Sequence, residues 1–290
     1  MPLKWWDRKI FPYARVTGLE RPVFLCGTLA AYEYFVVISA YFTTWLLVMM
    51  RTSALFATVP AFSTPNIPIK IRIALGALTA FFVSSAQPAV SVDGWPFLQV
   101  LILMTSEVLV GVLLGFVSRL FFYALDIGGA VIATGIGLMM PMDVNPFQTN
   151  QSTIPTNILY QLAIMIFFTT DMHHWFFAGL SKSFEVLPMG QANFGGGMIK
   201  TLIPMTAGVF SVGIMIAGPI MTVSFILLLL FSFLGRAVPQ MNVFAESFSF
   251  RILAGLTVFG MTCDVMAEHI VQFVRGIPLD LMSAVSSLNG

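Results

Sequence analysis

The chain has 290 residues, of which 58% are hydrophobic and only 9% are charged. A soluble domain carries about a quarter charged residues, so this composition excludes an ordinary soluble protein and indicates that lipid or apolar protein surrounds much of the chain. The net charge of +1 gives no basic field that would favour nucleic acid as a partner.

Two regions are predicted in chain order. Residues 1–22 combine five Lys/Arg with several aromatic side chains, which is typical of a segment at a membrane–water interface, with a disordered tail as the alternative. Residues 23–290 are predicted to form a single integral membrane domain, because a transmembrane helix needs about 20 apolar residues and several runs approach or exceed this length. The apolar spans lie at 23–50, 71–90, 97–125, 127–142, 156–180, 199–234 and 252–274.

Two of these spans look irregular. The run 199–234 contains Gly218-Pro219, which is predicted to kink or end a helix. The run 127–142 is short, holds four glycines and leads into Pro141 and Pro146. It is predicted to be a broken or re-entrant element that lies in protein or lines a cavity, because such backbone is not tolerated against lipid.

The basic residues give an inconsistent topology. Segment 1–22 is basic, and so is the next connection, with Arg51, Lys70 and Arg72. Two successive loops cannot both be cytoplasmic if each span simply crosses the bilayer, so the pattern predicts an unconventional topology.

Charged residues within or beside apolar spans mark pairing or function, since charge at membrane depth is costly. Arg119 and Asp126 are seven residues apart and are expected on one helical face. Two interpretations stay open: pairing with charges on a partner chain, or an ion-coupled secondary transporter that uses Glu107 and Asp126. The charges proposed for assembly are Glu33, Glu107, Arg119 and Asp126.

Potential metal ligands cluster at Asp171, His173 and His174, while the remaining histidine, His269, is far along the chain. On a helix Asp171 and His174 share a face, but a catalytic zinc site needs a third ligand and no HExxH pattern is present. A structural role near the membrane interface is therefore expected, with no bound metal and no catalytic residue. An intramembrane metalloenzyme is the rival interpretation.

Three further patterns carry local predictions. Gly111 and Gly115 form a GxxxG pattern, which lets helix backbones approach closely. Met139, Met140 and Met142 supply flexible apolar side chains that are suited to a deformable seal, with an ordinary buried loop as the alternative. Near the C-terminus, three polar residues are predicted to organise a turn between two helices, because Pro239 cannot continue a helix. They are Arg236, Gln240 and Asn242.

Four ordered motifs resemble the FliR family of flagellar export-gate proteins and their virulence-injectisome counterparts, over about residues 45–265. The most specific motif runs from Arg236 to Phe244 and is similar to the family's Arg-x-x-Pro-Gln-Leu-Asn-Val-Phe. The other three are Pro60-x-Phe62 with Ile67-Pro68 and Arg72; Asp171-x-His173-His174 with Ser183-Phe184, Pro188 and Gly190; and Gly137-Leu138 with Asn145-Pro146.

The sequence departs from the family pattern at a few positions. Residues 247–249 read Ser-Phe-Ser where the family usually has Gly-Phe-Pro, Met140 replaces an aromatic residue, and Asn145 replaces an aspartate. The overall match favours the flagellar form over the injectisome form.

The resemblance implies an all-α, polytopic membrane protein of bent helical hairpins within a helical hetero-oligomeric export gate. FliP-like and FliQ-like subunits would complete the pore in the bacterial inner membrane, at a flagellar basal body or injectisome base. An FlhB-like switch protein would contact it, and unfolded substrates would pass through. The family has no catalytic residues and no cofactor.

The resemblance also assigns residues. The pore plug of the family lies in the segment that matches residues 137–146. With the glycine just upstream, the expected gate residues are Gly135, Gly137, Leu138, Met139, Met140, Pro141, Met142, Asn145 and Pro146. The residues of the C-terminal family motif are Arg236, Pro239, Gln240, Asn242 and Phe244.

Overall fold

The computed structural model describes residues 23–63, 67–92, 94–138, 153–238, 240 and 242–289, without the side chains of residues 23–33, 35 and 244. Within these ranges the chain is helical and contains no strand, which confirms the predicted all-α class. The N-terminal segment 1–22 lies outside the described residues. The helices are α1 (Val23–Thr58), α2 (Ile69–Ser84), α3 (Phe97–Ile136), α4 (Ile154–Thr169), α5 (Met172–Val186), α6 (Gly196–Ala237), α7 (Val243–Met261) and α8 (Cys263–Ser286).

Helix α3 is continuous over 40 residues, so the prediction of a separate broken element at 127–142 was wrong for residues 127–136. The glycines there are points of close contact with other helices. A methyl group at Gly128 would lie 3.1 Å from the carbonyl oxygen of Gly213 on α6, and one at Gly129 would overlap Thr156 of α4. The absence of a side chain at these glycines lets α6 and α4 cross α3 at close range, and the glycines do not interrupt the helix.

Helix α6 continues through both Pro204 and Pro219 over 42 residues, so Gly218-Pro219 does not end it. A proline removes one helical hydrogen bond, but apolar surroundings offer the backbone no better alternative than the helix. Breaks occur instead at two other places. The predicted span 156–180 divides into α4 and α5 at Thr170 and Asp171, and the span 252–274 divides into α7 and α8, which meet at an angle of 56°.

Helix α3 lies at the centre of the bundle and packs against α1, α4, α6, α7 and α8, while α2 packs on α1 and α5 packs on α8. The core along α3 is formed by fully buried aromatic and aliphatic side chains, among them Phe121, Leu125, Ile132 and Ile136. Each neighbouring helix therefore buries its apolar face against one shared element.

Three described helices are long and apolar enough to cross a membrane, or four if the bent α7–α8 pair forms one span. This confirms a polytopic membrane protein. At a rise of about 1.5 Å per residue, α3 and α6 are each about 60 Å long, roughly twice the hydrocarbon thickness of a bilayer. Both helices are thus longer than one perpendicular crossing requires.

The GxxxG pattern on α3 contacts α1 as predicted. A methyl group at Gly111 would overlap the carbonyl oxygen of Arg51 and lie 2.8 Å from the Cβ of Ala54. A methyl group at Gly115 would overlap the side chain of Thr58. The α1 and α3 backbones can approach this closely only because both positions lack a side chain.

We expect Gly111→Ala to lower the stability of the protein by about 1–3 kcal/mol, because the added methyl group forces α1 away from α3. Gly208→Ala on α6 is the matched control, since a methyl group there meets nothing within 4 Å. The midpoint of thermal unfolding in detergent measures both variants. Equal midpoints for the two alanine variants would show that the α1–α3 contact is looser than described.

Candidate functional site

A buried ion pair joins α1 to α3. The Nε of Arg51 donates to Oε2 of Glu107 at 2.7 Å, and both side chains have 0% exposure. A charge in apolar surroundings is tolerated only where its partner and its remaining hydrogen-bonding atoms are all accommodated.

The end of α5 and the connection to α6 accommodate the rest of the pair. Arg51 donates through Nη1 to the carbonyl oxygens of Ser183 and Leu187, each at 3.3 Å, and its guanidinium lies 4.0 Å above the ring centroid of Phe184. The other carboxylate oxygen of Glu107 accepts from the backbone N–H of Gly190 at 2.9 Å. One ion pair thus fixes three separate parts of the chain.

The structure corrects the expected role of Glu107. Its partner is Arg51 of the same chain, 56 residues away, and not a charge on another subunit. The transporter interpretation is weakened for the same reason, because a fully buried and paired carboxylate is not free to bind a coupling ion.

The structure also corrects the assignment of Arg51 to a basic loop. Arg51 lies inside α1 with 0% exposure, whereas Lys70 and Arg72 lie in the first turn of α2. The connection between α1 and α2 is therefore less basic than the sequence suggested. The apolar run continues past Arg51 to Leu55 and Phe56, and this was the signal that the arginine belongs to the span.

We expect Arg51→Gln and Glu107→Gln each to destabilise the protein by about 3–5 kcal/mol, since either change leaves the other charge buried without a partner. Lys182→Gln, at an exposed position of α5, is the control. The thermal midpoint in detergent reports the loss. The double variant Arg51→Gln/Glu107→Gln should lose less than the sum of the two single losses, and a strictly additive result would contradict the pairing.

A second polar site is a cleft of about 130 Å³, and its walls include Ser63, Arg119, Tyr123, Asp126 and Tyr160. The guanidinium of Arg119 lies 5.2 Å from the ring centroid of Tyr123, and Tyr160 donates through its hydroxyl to the carbonyl oxygen of Pro60 at 3.3 Å. Arg119 and Asp126 therefore line one cleft, as their spacing predicted. Among the described residues the ion pair of Arg51 and Glu107 is the only one, so these two charges are near each other without direct contact.

The remaining assembly charge, Glu33, lies in α1, but its side chain is outside the description. Its pairing therefore stays a prediction.

The expected gate segment begins where α3 ends. Gly135 is in the last turn of the helix, and Gly137 caps it with a φ of 92°, a left-handed conformation that favours glycine. The N–H of Gly137 and the N–H of Leu138 both donate to the carbonyl oxygen of Ala133. Helix α3 thus ends at Gly137 with hydrogen bonds made by its last turn.

The remaining gate residues fall outside the described residues. They are Met139, Met140, Pro141, Met142, Asn145 and Pro146.

The ligand atoms of Asp171, His173 and His174 lie within 4.8 Å of one another, at the break between α4 and α5. Asp171 has a φ of 55°, and Nδ1 of His173 is buried without a hydrogen-bond partner. The three side chains therefore lie close together in space. The expectation that they have a structural role and bind no metal stays a prediction.

The C-terminal family motif forms the turn between α6 and α7. Asn242 caps α7, and its side-chain oxygen accepts from the N–H of Ala245 at 3.3 Å. Arg236 lies in the last turn of α6, where a cation is favoured by the helix dipole, and Gln240 is exposed. Pro239 and the side chain of Phe244 are outside the described residues. The hydrogen bond of Asn242 agrees with the prediction that this residue organises a turn between two helices.

Together, a bundle with up to four spanning helices, a central glycine-lined helix and a satisfied internal ion pair define a polytopic helical membrane protein. The sequence profile of the bacterial export proteins, family 1, matches residues 42–277, and the chain belongs to this family.

The sequence also aligns with individual members of the family over most of the length of both chains. The chain is 26% identical to the flagellar biosynthetic protein FliR of Escherichia coli (strain K12) over 238 residues, which cover 81% of this chain and 91% of the relative. It is 26% identical to the protein of the same name from Bacillus subtilis (strain 168) over 255 residues, 86% and 96% of the two chains. It is 27% identical to that of Aquifex aeolicus (strain VF5) over 239 residues, 81% and 92%.

Proposed function

We propose that the chain is the FliR subunit of a flagellar type III protein export gate in the bacterial inner membrane. The observation that carries this proposal is the family match over residues 42–277, on a fold with several apolar helices of spanning length. In this role the protein is not an enzyme. It helps to form and close the pore through which unfolded flagellar substrates cross the membrane.

The resemblance to the family implies the partners, and the surface that the chain leaves uncovered supports their presence. Only 22% of the most apolar window of α6 is buried, and large side chains such as Phe210, Phe225 and Phe233 are more than half exposed. FliP-like and FliQ-like subunits cover this surface together with lipid, and an FlhB-like switch protein contacts the assembled gate. Surfaces of this kind are typical of chains that function in a complex.

The charges of the cleft have a role in that assembly. Arg119 is exposed and Asp126 is half-buried, and neither has an ion-pair partner among the described residues. Charged groups of neighbouring subunits complete this site, and Glu33 pairs in the same way. Association would be favoured because it removes the cost of unpaired charge in apolar surroundings.

The gate itself is assigned to residues 137–146. The left-handed conformation of Gly137 ends α3 at the point where this segment begins, which supports the proposed start of the gate. Pro141 and Pro146 prevent a regular helix through this segment. Met139, Met140 and Met142 provide soft apolar bulk that seals against ions and yields to a passing chain.

Export from living cells tests the function. Deleting the gene in the source bacterium should abolish secretion of flagellar subunits into the medium, and the full-length chain supplied from a plasmid should restore it. The level of secreted subunits, with their intracellular pool as the control for synthesis, is the measurement. Normal secretion in the deletion strain would contradict the proposed role.

Ion conductance tests the gate residues separately. Replacing Met139, Met140 and Met142 with alanine should raise ion leak through the assembled complex, because the loss of bulk opens the seal. The matched control replaces Met165, Met215 and Met261, which are all more than half exposed on helices. Wild-type leak in a fully assembled gate variant would place the seal on other subunits.

A further inference from the structure

A cavity of about 450 Å³ lies between α3, α6 and α7. Its volume falls in the range of small-molecule sites, roughly 300–1,000 Å³. Most of the lining is apolar, and the polar atoms come from Thr134 of α3, Ser224 of α6 and Arg251 of α7. Its lining shares no residue with the ion pair or with the cleft of Arg119.

Arg251 brings a positive charge to the cavity, and no acidic side chain among the described residues pairs with it. The only ion pair among the described residues is that of Arg51 and Glu107, and the buried Nε of Arg251 has no hydrogen-bond partner. The side chain is half-buried, so it does not extend fully into solvent. A guanidinium held in this way requires an anion to offset the cost of leaving water.

Ser224 supplies a second unused polar atom. Many hydroxyls in the described helices bond back to their own helix, as Thr222 does to the carbonyl oxygen of Gly218 at 2.9 Å. The hydroxyl of Ser224 is buried and has no hydrogen-bond partner among the described residues. Gly135 leaves room beside it, since a methyl group at that position would lie 3.4 Å from the serine oxygen. Two unsatisfied donors on different helices therefore line one cavity.

The position of Arg251 is fixed by close packing of α7 on α3. A methyl group at Gly255 would lie only 2.5 Å from a side-chain carbon of Ile136, so the α7 backbone packs directly on this side chain one turn beyond Arg251. This contact places a guanidinium nitrogen 4.0 Å from the position of a methyl group on Gly137, at the carbonyl end of α3. The helix end contributes only about half a negative charge, which orients the guanidinium without neutralising it.

The walls determine which anion fits. Phe225 is 60% exposed and Leu228 is 49% exposed, so the cavity opens between apolar side chains on the outer surface of α6. A soluble anion would use the arginine and the serine but leave these walls in contact with water. An anionic amphiphile satisfies both parts of the site, and basic pockets between membrane helices are known to bind lipid headgroups of this kind.

We propose that this cavity binds the phosphate group of an anionic phospholipid, with Arg251 pairing with the phosphate, Ser224 donating a hydrogen bond to it and the acyl chains lying along α6. The proposal rests on the membrane location of the chain and is independent of its role in export.

Photo-crosslinking tests the site in the intact complex. The complex that contains the full-length chain is reconstituted in nanodiscs of equal parts phosphatidylcholine and phosphatidylglycerol, with a trace of photoactivatable phosphatidylglycerol. Mass spectrometry measures the label on residues 221–228. Arg251→Gln should reduce this label about fivefold, the change that corresponds to about 1 kcal/mol for one basic residue at an anionic bilayer. Ser224→Ala should reduce it less, and Arg251→Lys should retain part of it.

Arg275→Gln is the matched control, because Arg275 is an exposed arginine on the neighbouring helix α8. Gel filtration confirms that each variant complex is intact before labelling. Unchanged label in Arg251→Gln, or equal label from a photoactivatable phosphatidylcholine, would overturn the proposal. Complete displacement of the label by inorganic phosphate would assign the site to a soluble anion and would overturn the lipid assignment.

Discussion

The ion pair of Arg51 and Glu107 is the constraint on which the packing of this bundle depends. A guanidinium and a carboxylate with no solvent exposure are stable only if every remaining donor and acceptor is used. Here the donors of Arg51 reach two carbonyl oxygens near the end of α5, and Glu107 accepts from the N–H of Gly190. Moving any one of these elements would leave a charge unpaired in apolar protein, so α1, α3 and the end of α5 are held together as one unit.

Close approach of the helices is what makes this pairing possible. Gly111 lies against the backbone of Arg51 itself, so the absence of a side chain on α3 brings the arginine within reach of Glu107, one turn earlier on the same helix. Glycine also allows close contact further along α3, where Gly128 packs against α6 and Gly129 packs against α4. The central helix therefore carries a small residue wherever a neighbour must approach, and the neighbours are arranged around it by these positions.

Composition and local motifs were sufficient to predict the membrane class, the all-α fold, the close contact at Gly111 and Gly115, and the turn capped by Asn242. Each of these depends on residues near one another in sequence. The run of glycines at 128–135 was misread as a break, because a glycine that fits against another helix and one that ends a helix look alike without knowledge of the neighbour. The break at Asp171, in contrast, carries no glycine, and its left-handed backbone depends on packing that the local sequence does not show.

The sequence also could not show which charged residues pair when they are far apart along the chain. Glu107 was recognised as a buried charge, but its partner lies 56 residues earlier and looked like part of a basic loop. A lone arginine in a moderately apolar helix, such as Arg251, gives no signal in the sequence, and only the structure shows that no described acidic residue pairs with it. Tertiary contacts decide in both cases whether a charge is already satisfied.

The distribution of satisfied and unsatisfied charges divides the bundle into two parts. The buried charges of Arg51 and Glu107 pair within the chain, so they join α1, α3 and the end of α5 without help from outside. Along α6 and α7 the apolar surface is mostly uncovered, and Arg251 and Ser224 have no partner among the described residues. Cover for that side must come from other molecules, so the stability of α6 and α7 depends on the surrounding assembly and lipid. The C-terminal end of α3 belongs to this dependent side, because Gly135 lines the cavity and a guanidinium nitrogen of Arg251 lies 4.0 Å from the position of a methyl group on Gly137.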